Sequence, residues 1–463
     1  KTLYFLWVAT ILFSATVFSS YTQISEGGTP PSFMYPASQK TRSLQNKKNG
    51  IKNIYIPFSL DDLKADDERM KEEFLPPRVA VLLPASFSPE NSGVWSTLPG
   101  GERIWQLRIM ANKAKAISLY YKKFNLPIGS KLFIYNSAHT HILGAYTHKT
   151  HPGKGKFATE FVAGDDIILE YVAPKSDEFP QNPEIEIEEI GYGYNYLSIK
   201  DSYSESLSGS CMVDINCEEG EQWQDHMNGV VKMIIPIGTS SFLCTGSILN
   251  NTKEDLKPYL LTAFHCLLSS KEQASASDLS QAQFFFRYEN TTCGSNTPTS
   301  PVSMIGCTYI AGVPLENGVD GALLLLNGKI PDNLNAYYNG WDRRNIAPQS
   351  GVCIHHPQGD VKKISTYDQP AVSDTWKSGS TQGLQDGHWN VIFKSTANGH
   401  GVTEGGSSGA PLFDQNKRIT GFLTGGNANC TDRKEGRNLF GKLALFWDQC
   451  GTADDQRIDK YLD

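Results

Sequence analysis

All nine cysteines of this 463-residue chain lie after position 210, and the first 210 residues contain none. That division constrains the fold before any other feature. A cytosolic chain tends to scatter its cysteines, whereas one dense block suits a disulfide-braced unit in an oxidising compartment, here preceded by a unit held by packing alone. Nine is odd, so at least one thiol is left over or pairs outside the chain. The length exceeds what one ordinary core supports and predicts two to three domains. No C-x-x-C and no Cys/His pattern with zinc-ligand spacing occurs, so neither a metal nor another cofactor is expected. With 39% hydrophobic and 11% aromatic residues the composition is globular, and a formal charge of −7 gives no support for a nucleic-acid or anionic-membrane partner.

Four segments follow from patterning. An apolar run from Leu3 to Phe18 behind Lys1 is too short to span a bilayer and fits a secretory signal at 1–19, cut after Ser19; an uncleaved anchor is the rival reading. Residues 20–75 read as a polar linker with one short helix. Ser59-Leu60-Asp61-Asp62 supplies its cap and acidic first turn, and Pro76-Pro77 stops it after Phe74-Leu75. In 76–207, runs such as Trp105-Gln106-Leu107-Arg108-Ile109 and Lys131-Leu132-Phe133-Ile134-Tyr135 alternate apolar and polar residues, which predicts a β-sandwich. His139, His141, His148 and His151 fall in one hairpin there. Without a carboxylate at ligand spacing, a solvated face is favoured over a metal site. The Ser-rich stretch 197–210 reads as a linker open to proteolysis. Residues 208–463 show repeated short strands, fit an all-β double barrel, and end in a helix over 454–462.

Three stretches carry chemistry. Gly405-Gly406-Ser407-Ser408-Gly409-Ala410-Pro411 is a tight loop entering a strand. Its glycines let the backbone turn so that Ser408 is exposed and the amides of Gly406 and Ser408 converge as oxyanion donors. Alone, such a stretch is more often an ordinary polar turn. Leu260-Leu261-Thr262-Ala263-Phe264-His265-Cys266 ends an apolar strand on an imidazole, and a Cys244–Cys266 bridge would lock the loop that carries it. Gly318-Val319-Asp320-Gly321 places one carboxylate at the head of the apolar run Ala322-Leu323-Leu324-Leu325-Leu326. A buried carboxylate needs a hydrogen-bond donor, and an imidazole N–H is the natural one. The chain order His265, Asp320, Ser408 is that of the chymotrypsin-type triad.

With Ser208-Gly209-Ser210-Cys211-Met212-Val213-Asp214, Leu243-Cys244-Thr245-Gly246-Ser247, Gly340-Trp341-Asp342-Arg343-Arg344 and Ile354-His355-His356-Pro357, these motifs make 208–463 resemble the bacterial lysyl endopeptidases, secreted serine endopeptidases of the chymotrypsin fold. The domain before it is similar to that family's pro-region. The resemblance implies a precursor whose mature enzyme starts near Ser208, acts on protein or peptide substrates, and has its own pro-domain as a partner. The state expected is a monomer. It also implies disulfides Cys211–Cys430, Cys217–Cys293 and Cys244–Cys266. Cys307, Cys353 and Cys450 have no family counterpart, and one further pair is expected, Cys307–Cys450 or Cys353–Cys450.

The sequence departs from the family where lysine selectivity resides. Aligned on Phe440-Gly441-Lys442, Asn438 stands where the family has a pocket Asp, which removes the charge that discriminates for an ammonium. Asp432 or Glu435, in a loop one residue short, could supply a carboxylate instead. Thr424, next to Gly425, replaces a His near the substrate cleft, and Trp376 resembles the family's cleft Trp. Adjacent His355 and His356 point to opposite faces of a strand and read as structural. Because Ser407 replaces the Asp that precedes the nucleophile in animal enzymes, activation by pairing that residue with a new N-terminus is unavailable. The expectation is a serine endopeptidase. The alternatives are a protease with a non-lysine P1 preference and a catalytically silent secreted binding module.

Overall fold

The computed structural model describes residues 25–35, 50–153, 155–175, 180–195, 207–431 and 436–463. The signal at 1–19, the stretch 197–206, and Asp432 and Glu435 lie outside the described residues.

The expected helix forms at Leu60–Glu72. Ser59 Oγ accepts the amides of Asp61 and Asp62, two of the donors a helix start leaves orphaned. At the other end Leu75 N–H reaches Met70 C=O (3.0 Å) and Phe74 N–H reaches Lys71 C=O (3.1 Å), a Schellman closure. Such a closure puts one residue in the left-handed region, normally a glycine. Here it is Phe74 at φ 57°, where a β-carbon costs about 1–2 kcal/mol.

The N-terminal domain is a sandwich. One sheet is ordered Ile51–Asn53, Arg103–Met110, Asp166–Val172, Lys131–Asn136, Ile142–Tyr146, with Val94–Thr97 also on Arg103–Met110. The facing layer is Arg78–Phe87, Glu184–Gly193 and Ala116–Asn125. Alternation places Trp105, Leu107, Ile109, Ile134 and Leu169 of one sheet against Ile117, Leu119, Tyr121, Ile187 and Ile190 of the other, all fully buried. The four histidines do not form one cluster. His139 stacks on Phe33, while His141 and His151 each accept a backbone amide, from Ala163 and Gly155.

The second half is a double barrel. In the first barrel Val230–Ile237 pairs with Ser240–Leu249, then Tyr259–Ala263, Gly321–Leu326 and Cys307–Val313. Val302–Ile305, set off from Cys307–Val313 by Gly306 alone, returns to Gln283–Phe286 and so to Val230–Ile237, which closes the ring. The second barrel is ordered Val213–Asp214, Lys363–Tyr367, Gly351–His355, Pro411–Phe413, Ile419–Gly426, Asn438–Lys442, His388–Val391, Val372–Asp374. Lys394 N–H to Thr366 C=O (2.8 Å) draws its ends together.

The three disulfides implied by resemblance are present: Cys211–Cys430, Cys217–Cys293 and Cys244–Cys266. The first spans 219 positions, a closure that chain-entropy arguments value at roughly 5 kcal/mol at most. The expected fourth pair is absent, because Cys307, Cys353 and Cys450 are all free thiols. Each packs into a different apolar cluster: Cys307 with Leu324 and Leu326, Cys353 with Leu412 and Phe440, Cys450 against the cluster of Trp447 and Ile458.

The two halves share a sheet. Ser240 and Ser241 of the first barrel pair with Val81 and Ala80 of the sandwich, and Tyr120 Oη meets Ser241 Oγ at 2.9 Å.

Candidate active site

Register explains how residues 55 positions apart meet. Tyr259–Ala263 and Gly321–Leu326 are antiparallel with Ala263 opposite Gly321, so the residues just beyond, His265 and Asp320, leave the sheet at one end. Phe264 N–H donates to Asp320 C=O (2.8 Å), which fixes the turn Phe264–Leu267 that carries the imidazole. Asp320 is fully buried at φ 64°. Its Oδ1 accepts the His265 amide (2.9 Å) and its Oδ2 lies 2.7 Å from His265 Nδ1. The burial cost of the carboxylate is thus offset by two donors from one residue. His265 Nε2 is buried and has no hydrogen-bond partner among the described residues.

Ser408 stands on a loop of the second barrel that packs against the strand leading to His265, with no hydrogen bond between Ser408 Oγ and His265 Nε2. Gly409, at φ 82°, is the contact that allows it: a β-carbon there would stand 2.4 Å from Thr245 O and 2.8 Å from Ala263 N. Only a glycine lets the serine loop press against the strand that leads to His265. Thr245 N–H donates to Ser408 C=O, and Thr245 Oγ1 to Gly406 C=O, both at 2.8 Å. The Cys244–Cys266 bridge ties the strand carrying Thr245 to the turn carrying His265. With Gly406 at φ 91°, the amides of Gly406 and Ser408 donate to no group among the described residues.

Beneath this loop lies a network whose role the sequence did not reveal. Ser407 Oγ accepts the Glu404 amide (3.3 Å) and meets His355 Nδ1 at 2.7 Å; His355 Nε2 meets Ser365 Oγ at 3.1 Å, and that hydroxyl donates to Val402 C=O. Burial, then Lys363, pushes the His355 pKa down to about 3, so the ring is neutral. One direction satisfies every atom: Ser407 donates to Nδ1, and Nε2–H donates to Ser365. The pair His355-His356 read as structural, but nothing in it showed that one would support the position before Ser408. His356 Nδ1 bonds Asp360 C=O instead.

The remaining predicted residues lie on the two strands that follow Pro411–Phe413 in the second barrel. Gly425 and Gly426 on Ile419–Gly426 pair with Leu439 and Asn438. Asn438 is buried; its Oδ1 accepts from Thr403 Oγ1 (3.0 Å) and its Nδ2 donates to Val391 C=O (3.1 Å). Thr424 Oγ1 is buried with no partner among the described residues. Trp376 closes over these strands, its Cη2 3.2 Å from where a β-carbon on Gly425 would stand. Ser208, where the resemblance starts the mature enzyme, gives its amide and hydroxyl to Asp360 Oδ2, while Gly209 N–H goes to the Glu404 carboxylate.

A two-barrel all-β fold, with His265 and Asp320 on one barrel and Ser408 on the other, is the chymotrypsin-like architecture. A model of the family described as "Lysyl endopeptidase, C-terminal domain" matches residues 206–441, about half of the chain. The chain belongs to the lysyl endopeptidase family. The lysyl endopeptidase of Pseudomonas aeruginosa is 30% identical over 289 residues, covering 60% of this chain and 58% of that protein. A secreted RxLR effector protein of Plasmopara viticola is 22% identical over 267 residues, 54% of this chain and 62% of that one. The chain thus spans about three fifths of the length of these curated relatives. Among solved structures, the active form of a protease from M. tuberculosis is similar at a TM-score of 0.33 and 14% identity, covering 52% of this chain and 88% of that one. An HtrA-type protease with a tripeptide is similar at 0.31 and 15%, covering 48% and 58%.

Proposed function

We propose that the chain is an exported serine endopeptidase made as a precursor, with 208–463 as its catalytic part. Ser408 Oγ attacks the scissile carbonyl and its proton passes to His265 Nε2. The amides of Gly406 and Ser408 receive the oxyanion. The imidazolium then protonates the leaving amine, the C–N bond breaks to leave an acyl ester on Ser408, and water, giving its proton to His265, attacks that ester to release the acid and restore the Ser408 hydroxyl. Asp320 holds Nδ1–H and stabilises the imidazolium. The observation that carries this reading is the two-point grip of Asp320 on His265 beside the glycine-rich loop of Ser408.

Family membership supports lysine at P1. A specific observation favours a broader preference: Asn438 is uncharged, and both its side-chain atoms are already bonded to Thr403 and Val391. The sandwich is read as a pro-domain removed by cleavage near Leu207–Ser208. The test is a peptide-library digest read by mass spectrometry, with Ser408→Ala as control. Cleavage lost in the variant supports the reading; cleavage that survives it, or none in either protein, contradicts it.

A further inference from the structure

Between the end of the helix Leu60–Glu72 and the strand Arg78–Phe87, the chain crosses the face on which Ser408 lies. Phe74 stands edge-on to Trp376, with centroids 5.1 Å apart, and its Cδ1 is 3.9 Å from a β-carbon position on Gly425. Pro77 lies across the loop. Its Cγ is 2.7 Å from a β-carbon position on Gly405, and its carbonyl accepts Leu243 N–H at 2.9 Å. Between them Pro76 is buried, and Leu75 packs on the cluster that holds Phe264 and Cys266, the neighbours of His265. The wall of Gly425 and the loop edge at Gly405 flank Ser408, whose successor Gly409 is bonded to Leu423 and whose own carbonyl is bonded to Thr245.

We propose that residues 73–77 are a strap that fills the substrate cleft on both sides of Ser408 and resists being cut there, an inference that rests on the endopeptidase reading above. Three observations carry it. The backbone bond to Leu243, continued by Arg78 opposite Phe242, is what an extended peptide added to a sheet edge makes. The bonds Leu75–Pro76 and Pro76–Pro77 both have a leaving nitrogen without an N–H, its ring occupying the side from which His265 must deliver a proton. And Phe74 holds the left-handed position of a helix closure that a glycine would fill without strain. A large aromatic side chain is kept at a site where the helix gains nothing from it, and its contact is Trp376 in the cleft wall. Met70, the buried residue of the helix, anchors the strap by packing among Phe264 and Leu267.

Phe74→Gly separates occlusion from folding, because it suits the helix closure while removing the plug. The full chain and its F74G variant are compared while intact mass shows both uncut. Two readouts are taken: the initial rate at which a fluorophosphonate labels Ser408, and hydrogen exchange at the Leu243 amide. The strap predicts at least tenfold faster labelling and at least tenfold faster Leu243 exchange in F74G, with Val230–Ile237 unchanged. Equal labelling and equal exchange in the two chains would overturn it. If Leu243 exchange rises but neither chain ever labels, the strap stands as an occupant and the hydrolase reading falls. A cut found at Leu75–Pro76 or Pro76–Pro77 in aged preparations would also overturn the proposal, since the prolines are there to prevent it.

Discussion

Asp320 holds His265 by ring and backbone together: Oδ2 is 2.7 Å from Nδ1, and Oδ1 accepts the His265 amide at 2.9 Å. In the proposed mechanism this fixes the tautomer that leaves Nε2 open to the serine proton. Asp320→Asn presents an amide N–H₂ or a neutral oxygen in its place, and kcat on peptides should fall roughly 10⁴-fold. A variant within tenfold of the parent would show that the carboxylate does not orient a catalytic ring.

The pocket prediction concerns Asn438. Replacing it with Asp should raise kcat/KM for lysine over leucine substrates by about 10- to 100-fold, the worth of one charge-assisted contact. The ratio of the two specificity constants reads this out. An unchanged ratio would place the selective group elsewhere, with Asp432 and Glu435 next to be tested.

Much of this site was legible because its signals are local. An imidazole ending an apolar strand, a lone carboxylate heading one, and glycines around a serine each have a physical reason that survives without coordinates. The sandwich and the helix capped by Ser59 were legible for the same reason, through period and cap chemistry. What escaped is tertiary. The stretch Phe74-Leu75-Pro76-Pro77 read as the end of a helix, and nothing in it announces Trp376, 302 positions away, as the neighbour of Phe74. The same holds for Ser407 and His355, and for Asn438, whose partners are Thr403 in a loop and Val391 on a neighbouring strand. The fourth disulfide failed because counting cysteines does not show which core each one enters.

The free thiols give a direct check. Burial raises the pKa of Cys307 and Cys353 beyond ordinary thiol range and that of Cys450 to about 11. A thiol reagent should find three groups in the unreduced, denatured chain and at most Cys450 in the native one. A single thiol after denaturation would restore a fourth bridge.

Acid should destabilise the fold through its neutral histidines. Burial depresses His355 to about 3 and His388 to about 4. A depressed folded-state pKa means that, below about 6.5, the unfolded chain takes up a proton the folded one refuses. Stability is therefore full above that pH and falls by roughly 1.4 kcal/mol per unit per histidine as pH drops toward the folded values. Urea unfolding from pH 7 to 4 measures the slope. His355→Gln should flatten it, and an identical slope in the variant would remove His355 from the account.

The central claim is that Ser408 is a nucleophile made reactive by His265. The most direct measurement is peptide mapping of the full chain after fluorophosphonate treatment carried on until labelling stops rising. One adduct, on the peptide containing Ser408 and absent from His265→Ala, is the result predicted here. No adduct, or an adduct that persists unchanged without His265, would contradict it.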